Sequence, residues 1–285
     1  MQDAKLAAKS NDTHTTEIAL TPKVTVGGTD LLIVGGPCSV ESLEQMTAIA
    51  THLAQAPIQA LRGGVYKPRT SPYAFQGLGT EGLEILDQIR RRHQIPVITE
   101  VMAISQIEEV SAHADGLQVG SRNMQNFDLL KALGAANKPV VLKRGLAATV
   151  QEFVMAAEYI MAHGNPNVIL CERGIRSFDT HTRNVLDLGA VVSLKQITHL
   201  PVIVDPSHAT GKRELVPALA RAAIAAGADG LMVECHPDPD ASVSDARQTL
   251  SLETMVELVD SLRPIAHAVG RNIPLGQLSP EPALV

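Results

Sequence analysis

Eight short runs rich in Val, Ile and Leu recur through the chain, each followed by an amphipathic stretch. They are "LLIVGG" at 31, "IQALRGG" at 58, "PVITEV" at 96, "GLQVGS" at 116, "PVVLKRG" at 139, "NVILCERG" at 167, "PVIVDPS" at 201 and "GLMVECH" at 230. Runs that are apolar at consecutive positions suit parallel strands covered by helices, because both strand faces are buried. Between them lie helix-like segments such as "SLEQMTAIATHLAQ", "GLEILDQIRRRH" and "TVQEFVMAAEYIMAHG". In "ELVPALARAAIAAG" the spacing puts Leu215, Leu219, Ala222 and Ala226 on one helical face. Gly164 and Gly227 fall where helix ends are expected. Eight strand-helix units predict an α/β fold, a (β/α)8 barrel. The alternative, an open doubly wound sheet, lacks a GxGxxG in its first unit.

The remaining segments attach to this barrel at either end. Residues 1–14 are polar and read as disordered; 15–29 read as a β-hairpin around Gly27-Gly28. The catalytic barrel is assigned to 30–270, with "SLETMVELVDSLRPIAHAV" as its last helix, and 271–285 form a proline-rich tail. No apolar run reaches the ~20 residues that span a bilayer. The start of the chain lacks the apolar core of a secretory signal, and Cys38, Cys171 and Cys235 form no CxxC. These features place the expectation in the cytoplasm.

A barrel of this kind carries its chemistry at the C-terminal ends of the strands. There the second, fourth, fifth and sixth runs end in cations: Arg62, Lys67, Arg69, Arg122, Lys143, Arg144, Arg173 and Arg176. The whole chain has a net charge of -6 and only 2% aromatic residues, so a basic nucleic-acid face is excluded as its purpose. Any one of these arginines could cap a helix or pair with a carboxylate. Four strand ends of the same sign instead call for an anion, whose oxygens guanidinium groups match.

A second group reads as metal-binding. Cys38 ends the first run, His208 follows the seventh, Glu234 lies in the eighth and Asp245 in the loop beyond. Closure sets the eighth stave beside the first. A thiolate, an imidazole and two carboxylates then suit a borderline divalent ion. Taken singly, Cys38 is equally a small core residue, His208 a turn residue and Asp245 a helix cap. Cys171 reads as packing. Cys235 alternates with Glu234 and should face away from the barrel interior. His52, His93, His163 and His199 read as surface residues of helices.

The segments "GPCSVES", "KPRTSPYAFQGLG", "GSRNMQNFDLLKALG", "KPVVLKRG", "ILCERGIRSFDTHTRNVLDL", "PVIVDPSHATG" and "ADGLMVECHPDPDASVSDARQTL" stand in order over roughly residues 30–262. Together they resemble the 3-deoxy-D-arabino-heptulosonate 7-phosphate (DAHP) synthases, and within them the short beta form of type I. The resemblance implies condensation of phosphoenolpyruvate (PEP) with erythrose 4-phosphate and water, giving DAHP and phosphate at the head of the shikimate pathway. It implies that Arg62, Lys67, Arg122, Lys143 and Arg173 hold PEP, with Glu100 and the Ser121 backbone in support. Arg69 and Thr70 would take the erythrose phosphate. Cys38, His208, Glu234 and Asp245 would bind a divalent metal of open identity, and Lys67 and His208 are candidates for proton transfer. Homo-oligomers, often tetramers, are implied as well.

Two rival enzymes share part of this pattern. The 3-deoxy-octulosonate 8-phosphate synthases have a Lys-Ala-Asn-Arg where this chain has Lys67-Pro68-Arg69-Thr70. A class I aldolase would use Lys143 as an imine-forming nucleophile. A barrel retained as a non-catalytic scaffold would be expected to have lost ligands or arginines, and none is missing. About thirty residues precede the first run, so inhibition by aromatic amino acids through an appended domain is not expected. Gly36 stands where the family often has Ala. Cys235 stands where an aliphatic residue is common, which raises the idea of oxidation against Cys38.

Overall fold

The computed structural model describes residues 3–54, 56–69 and 71–274. All eight apolar runs form strands: β3 (Leu32–Gly36), β4 (Ala60–Arg62), β5 (Val97–Glu100), β6 (Gly116–Val119), β7 (Val140–Lys143), β8 (Val168–Glu172), β9 (Val202–Val204) and β10 (Gly230–His236). They pair in parallel in chain order, and β10 bonds to both β9 and β3. The sheet therefore closes, and the fold is the expected (β/α)8 barrel. Every residue of these strands is buried, as strands with a helical coat and a filled interior require.

The coat is α1 (Leu43–Leu53), α2 (Thr80–His93), α3 (Ile107–His113), α4 (Phe127–Gly134), α5 (Val150–Ala162), α6 (Leu188–Ile197), α8 (Val216–Ala225) and α9 (Leu252–Ala268). A further short helix, α7 (Pro206–Thr210), stands in the loop after β9. Local chemistry starts several of them. Thr149 Oγ1 accepts from the Glu152 amide while the Glu152 carboxylate accepts from the Thr149 amide, a reciprocal cap on α5. Strand alternation splits the core in two. Leu61, Leu117, Leu142 and Leu170 face helical residues such as Met46 and Phe153, whereas Val34, Ile98, Val141, Ile169 and Met232 fill the barrel.

The hairpin is present as β1 (Ile18–Thr21) paired antiparallel with β2 (Val24–Val26). Its Ile18, Leu20, Val24 and Val26 join the interior cluster, so it plugs the floor of the barrel, the end opposite the catalytic mouth.

Three expectations are corrected. The polar start of the chain is not loose: Ala4 and Ala7 are buried, and the amides of Lys5, Leu6 and Ala7 donate to the Glu158 carboxylate on α5. That docking uses backbone donors, which a side-chain pattern does not display. The buried face of α8 is Val216, Ala220, Ala223 and Ile224, one residue on from the predicted stripe. The helix starts at Val216 with Pro217 in its first turn, and in an alanine-rich helix two leucines are a weak guide to phase. His93 and His199 are also buried rather than on the surface.

Candidate active site

The strand ends surround a cavity of ≈ 360 Å³ at the mouth. Arg62, Lys67, Arg69, Glu100, Ser121, Arg122, Lys143, Arg173, Arg176, His208 and Asp245 all line it. Thr70 lies outside the described residues. Arg144 is the exception among the predicted mouth cations. It turns away from the cavity and is buried against Glu172 Oε2 (2.9 Å), Asp187 Oδ2 (3.1 Å) and the Ala148 carbonyl (3.0 Å). Alternation sends neighbours at a strand end to opposite sides, so Lys143 takes the cavity and Arg144 the wall.

Several buried polar atoms on this cavity have no protein partner: Arg62 Nε, Arg173 Nη1 and Glu100 Oε1. Burial lowers the Arg173 pKa from the usual guanidinium value, with Asp205 opposing it. Glu100 Oε2 accepts from Gln118 Nε2 (3.1 Å), and Gly120 lets the backbone pass close to it, since a Cβ there would lie 2.1 Å from Glu100 Oε1. Lys143 Nζ donates to Asp205 Oδ2 at 2.5 Å in a buried ion pair.

Opposite stands the second group. One potential ligand atom each from Cys38, His208, Glu234 and Asp245 lies within 4.8 Å of all the others. Gly36 makes this corner possible. Its φ is +142°, and a Cβ would sit 2.2 Å from the Arg62 carbonyl, so alanine does not fit this backbone. The close approach of β3 and β4 lets Arg62 Nη2 and Lys67 Nζ both donate to the Cys38 carbonyl (3.2 and 2.8 Å). Lys67 Nζ is also 3.0 Å from Cys38 Sγ.

The donor chemistry fits a divalent ion. Asp205 Oδ2 lies 2.7 Å from His208 Nδ1, which puts the proton on that nitrogen and turns the Nε2 lone pair toward Glu234 Oε1 (3.3 Å) and Asp245 Oδ2 (3.7 Å). Burial lowers the His208 pKa despite Asp205 and Glu234, which favours the neutral, ligating ring. Burial, then Glu234, pushes the Cys38 thiol up to about 12. Cys38 Sγ faces Asp245 Oδ2 at 3.1 Å and Ser244 Oγ at 3.2 Å. Burial alone would raise Asp245, but His208 and Arg183 outweigh it and hold the carboxyl below its usual range.

The sequence reading passed over the residues that brace these groups: Asp205, Gln118, Ser244, Arg183, Asn184 and Gln248. One signal was available, since Asp205 stands three residues before His208 in "DPSH", one helical turn away. Cys235 packs in the outer, helix-facing cluster, while Cys38 is at the mouth. The alternation expected for Glu234 and Cys235 is therefore present, and both thiols are buried and free.

A closed parallel barrel with such a mouth defines a (β/α)8-barrel enzyme. Residues 9–268 match the model of the DAHP synthetase I family. A phospho-2-dehydro-3-deoxyheptonate aldolase of Thermotoga maritima is 48% identical over 250 residues, covering 88% of this chain and 74% of that protein. The crystal structure of a Thermotoga maritima DAHP synthase superposes with a TM-score of 0.91 at 44% identity, over 95% of this chain and 79% of the other. A truncated form of the Thermotoga maritima synthase gives 0.87 at 42% identity, over 94% of this chain and 98% of that one. A 2-dehydro-3-deoxyphosphooctonate aldolase of Legionella pneumophila is 33% identical over 251 residues, covering 82% of this chain and 90% of that protein. The chain belongs to the DAHP synthetase I family.

Proposed function

We propose that this protein is a 3-deoxy-7-phosphoheptulonate synthase, condensing PEP with erythrose 4-phosphate and water to give DAHP and phosphate. The observation that carries the reading is one cavity that joins under-partnered buried cations to a Cys/His/Glu/Asp group, with Lys67 touching both.

Arg62, Lys67, Arg122, Lys143 and Arg173 hold PEP, supported by Glu100 and the Ser121 backbone. Their charge offsets the repulsion between two phosphorylated substrates. Arg69 and Thr70 take the phosphate of the aldose. Arg69 is pre-aimed, its Nε on the Phe75 carbonyl (3.0 Å) and its Nη2 on Ser244 Oγ (2.8 Å). Cys38, His208, Glu234 and Asp245 hold a divalent ion, which when bound supplies Lewis-acid polarisation or orientation for the aldehyde. Carbon 3 of PEP bonds to the aldehyde carbon, water adds at carbon 2, and phosphate leaves with cleavage of its carbon-oxygen bond. In this scheme His208 Nδ1 is held by Asp205, and its Nε2 would serve a bound ion. Proton transfer therefore falls to Lys67, whose Nζ stands between the two halves of the site.

The octulosonate reading is disfavoured by Lys67-Pro68-Arg69-Thr70 and by the lower identity of those relatives. The Schiff-base reading is disfavoured because Lys143 Nζ is held by Asp205 and does not stand free. Phosphate release from PEP with erythrose 4-phosphate or arabinose 5-phosphate, each with and without chelator, tests all three. Turnover with erythrose 4-phosphate that chelation abolishes is expected. Turnover with the five-carbon sugar alone overturns the substrate, chelator-resistant turnover overturns the metal, and borohydride trapping at Lys143 overturns the mechanism. The reading includes a cytoplasmic homo-oligomer, for which light scattering gives the subunit number. Among the described residues no helix is long and apolar enough to cross a membrane.

A further inference from the structure

Each carboxylate of the candidate metal group has one oxygen turned to the group and one tied down behind it. Glu234 Oε1 and Asp245 Oδ2 are the oxygens nearest His208 Nε2, and Glu234 Oε1 also accepts from Arg62 Nη1 at 3.0 Å. Behind them, Gln248 Nε2 donates to Glu234 Oε2 at 2.5 Å, and Arg183 Nη1 donates to Asp245 Oδ1 at 3.1 Å. The two braces are themselves joined, because the same Arg183 Nη1 lies 3.1 Å from Gln248 Oε1. Gln248 is buried, so its amide is spent on two partners that both belong to this corner.

The bracket is also fixed from behind. The Arg183 and Asn184 amides donate to the Thr210 and Ala209 carbonyls, and Asn184 Nδ2 donates to the His208 carbonyl. The loop between β8 and α6 is thus tied to the helix that carries His208. Asp245 has φ +56°, in the left-handed region that Asp visits more readily than most residues with a Cβ. Arg183 pairs with its carboxylate from outside the turn.

We infer that Arg183 and Gln248 act as one positioning unit that presets Glu234 and Asp245 for the metal. This rests on the metal reading proposed above. Gln248 lies behind the cavity lining, while Arg183 also borders the cavity, so metal affinity measured without substrates is the readout that isolates their positioning role. Their effect is on where two ligand oxygens point before an ion arrives, so it should register in metal affinity even without substrates.

The experiment uses the metal-free full chain titrated with Co²⁺ alone. The thiolate-to-cobalt absorption band reports Cys38, and calorimetry gives the affinity. Wild type, Gln248→Met, Arg183→Met and the double variant are compared. Outer partners of metal ligands typically contribute about 10–100-fold in affinity, so each single variant is expected to lose that much. The double variant should lose no more than the worse single one, because the pair works as a unit. The metal-free unfolding midpoint of Arg183→Met should stay near wild type, since that side chain is 41% exposed. Should Gln248→Met fold poorly, Arg183→Met carries the test. Losses below about threefold in the folded variants overturn the inference, as the outer-partner effect is larger than that. Absence of the cobalt-thiolate band in wild type removes the metal reading itself.

Discussion

Both ends of the barrel bury charge, and they treat it in opposite ways. At the floor, buried carboxylates are saturated. Asp229 accepts from the Val202 amide (2.7 Å), Lys195 (2.6 Å) and Arg271 (3.0 Å). Asp115 accepts from the Val97 amide and Arg90, and Glu158 from three amides of the N-terminal segment. At the mouth, Arg62 Nε, Arg173 Nη1 and Glu100 Oε1 are buried and unmet. Leaving such a group unpaired costs about 1–3 kcal/mol, and native proteins keep few of them. Three on one cavity mark a surface that a ligand completes. At the floor the charge is fully used within the chain; at the mouth, even with Lys143 on Asp205 and Arg62 on Glu234, polar atoms are left over for a ligand.

The strongest way to break this contrast is Asp229→Ala. It strands Lys195, Arg271 and the Val202 amide at once, and removing one member of a buried ionic network destabilises by about 3–5 kcal/mol. Urea unfolding should show that loss, with the KM for PEP little changed. A large rise in KM at normal stability would mean the floor is not merely structural.

Arg173→Met sharpens the same contrast with the opposite sign. A charge-assisted hydrogen bond is worth roughly 1.5–3 kcal/mol, so the KM for PEP should rise about 10–100-fold. The same substitution removes a buried cation whose desolvation is poorly compensated, so the unliganded protein should be as stable as wild type or more so. Clear destabilisation in unliganded unfolding would show that Arg173 is a structural cation like Arg144.

Much of the mouth was legible because strands impose a rule. Eight apolar runs give eight strands, and the polar residues that end them must ring one cavity, which is why Cys38, His208, Glu234 and Asp245 could be brought together from three staves. The same alternation separates Glu234 from Cys235. It would also have separated Lys143 from Arg144 had it been applied there. Loops carry no such rule. Arg183 and Gln248 reach the site from segments between elements, where no period predicts direction. The docked N-terminus was illegible for a different reason, since its holding groups are backbone amides and every residue has one. Glu158 gives no hint in "VMAAEYIM" that it will be a buried anchor.

That anchor yields a smaller effect. In Glu158→Gln one oxygen remains to accept, but the other becomes an NH2 facing amide donors. The expected loss is about 1–2 kcal/mol, the scale of one or two hydrogen bonds. Hydrogen exchange should locate it, with the Lys5, Leu6 and Ala7 amides losing protection while strands near the mouth keep theirs. Uniform loss across the barrel would show that the N-terminal segment is integral to the global fold rather than strapped on.

The smallest effect concerns the far side of the same strap. His199 donates from Nε2 to the Leu6 carbonyl (2.6 Å), its Nδ1 in the neutral ring accepts from Thr16 Oγ1 (2.6 Å), and it stacks on His14 at 4.1 Å. Burial lowers its pKa below the usual 6.5, with His14 adding to that and the Leu6 carbonyl opposing it. A histidine depressed in the folded state binds its proton less readily there than in the unfolded chain. Its contribution is therefore complete above pH ~6.5 and declines as pH falls from there through the folded value. A single side chain is involved, so the decline should be modest. Unfolding midpoints of wild type and His199→Gln, compared between pH 7 and pH 5, should show a steeper acid loss in wild type. Parallel curves would mean that His199 does not couple the strap to pH, and the floor's satisfied contacts would then rest on carboxylates and amides alone.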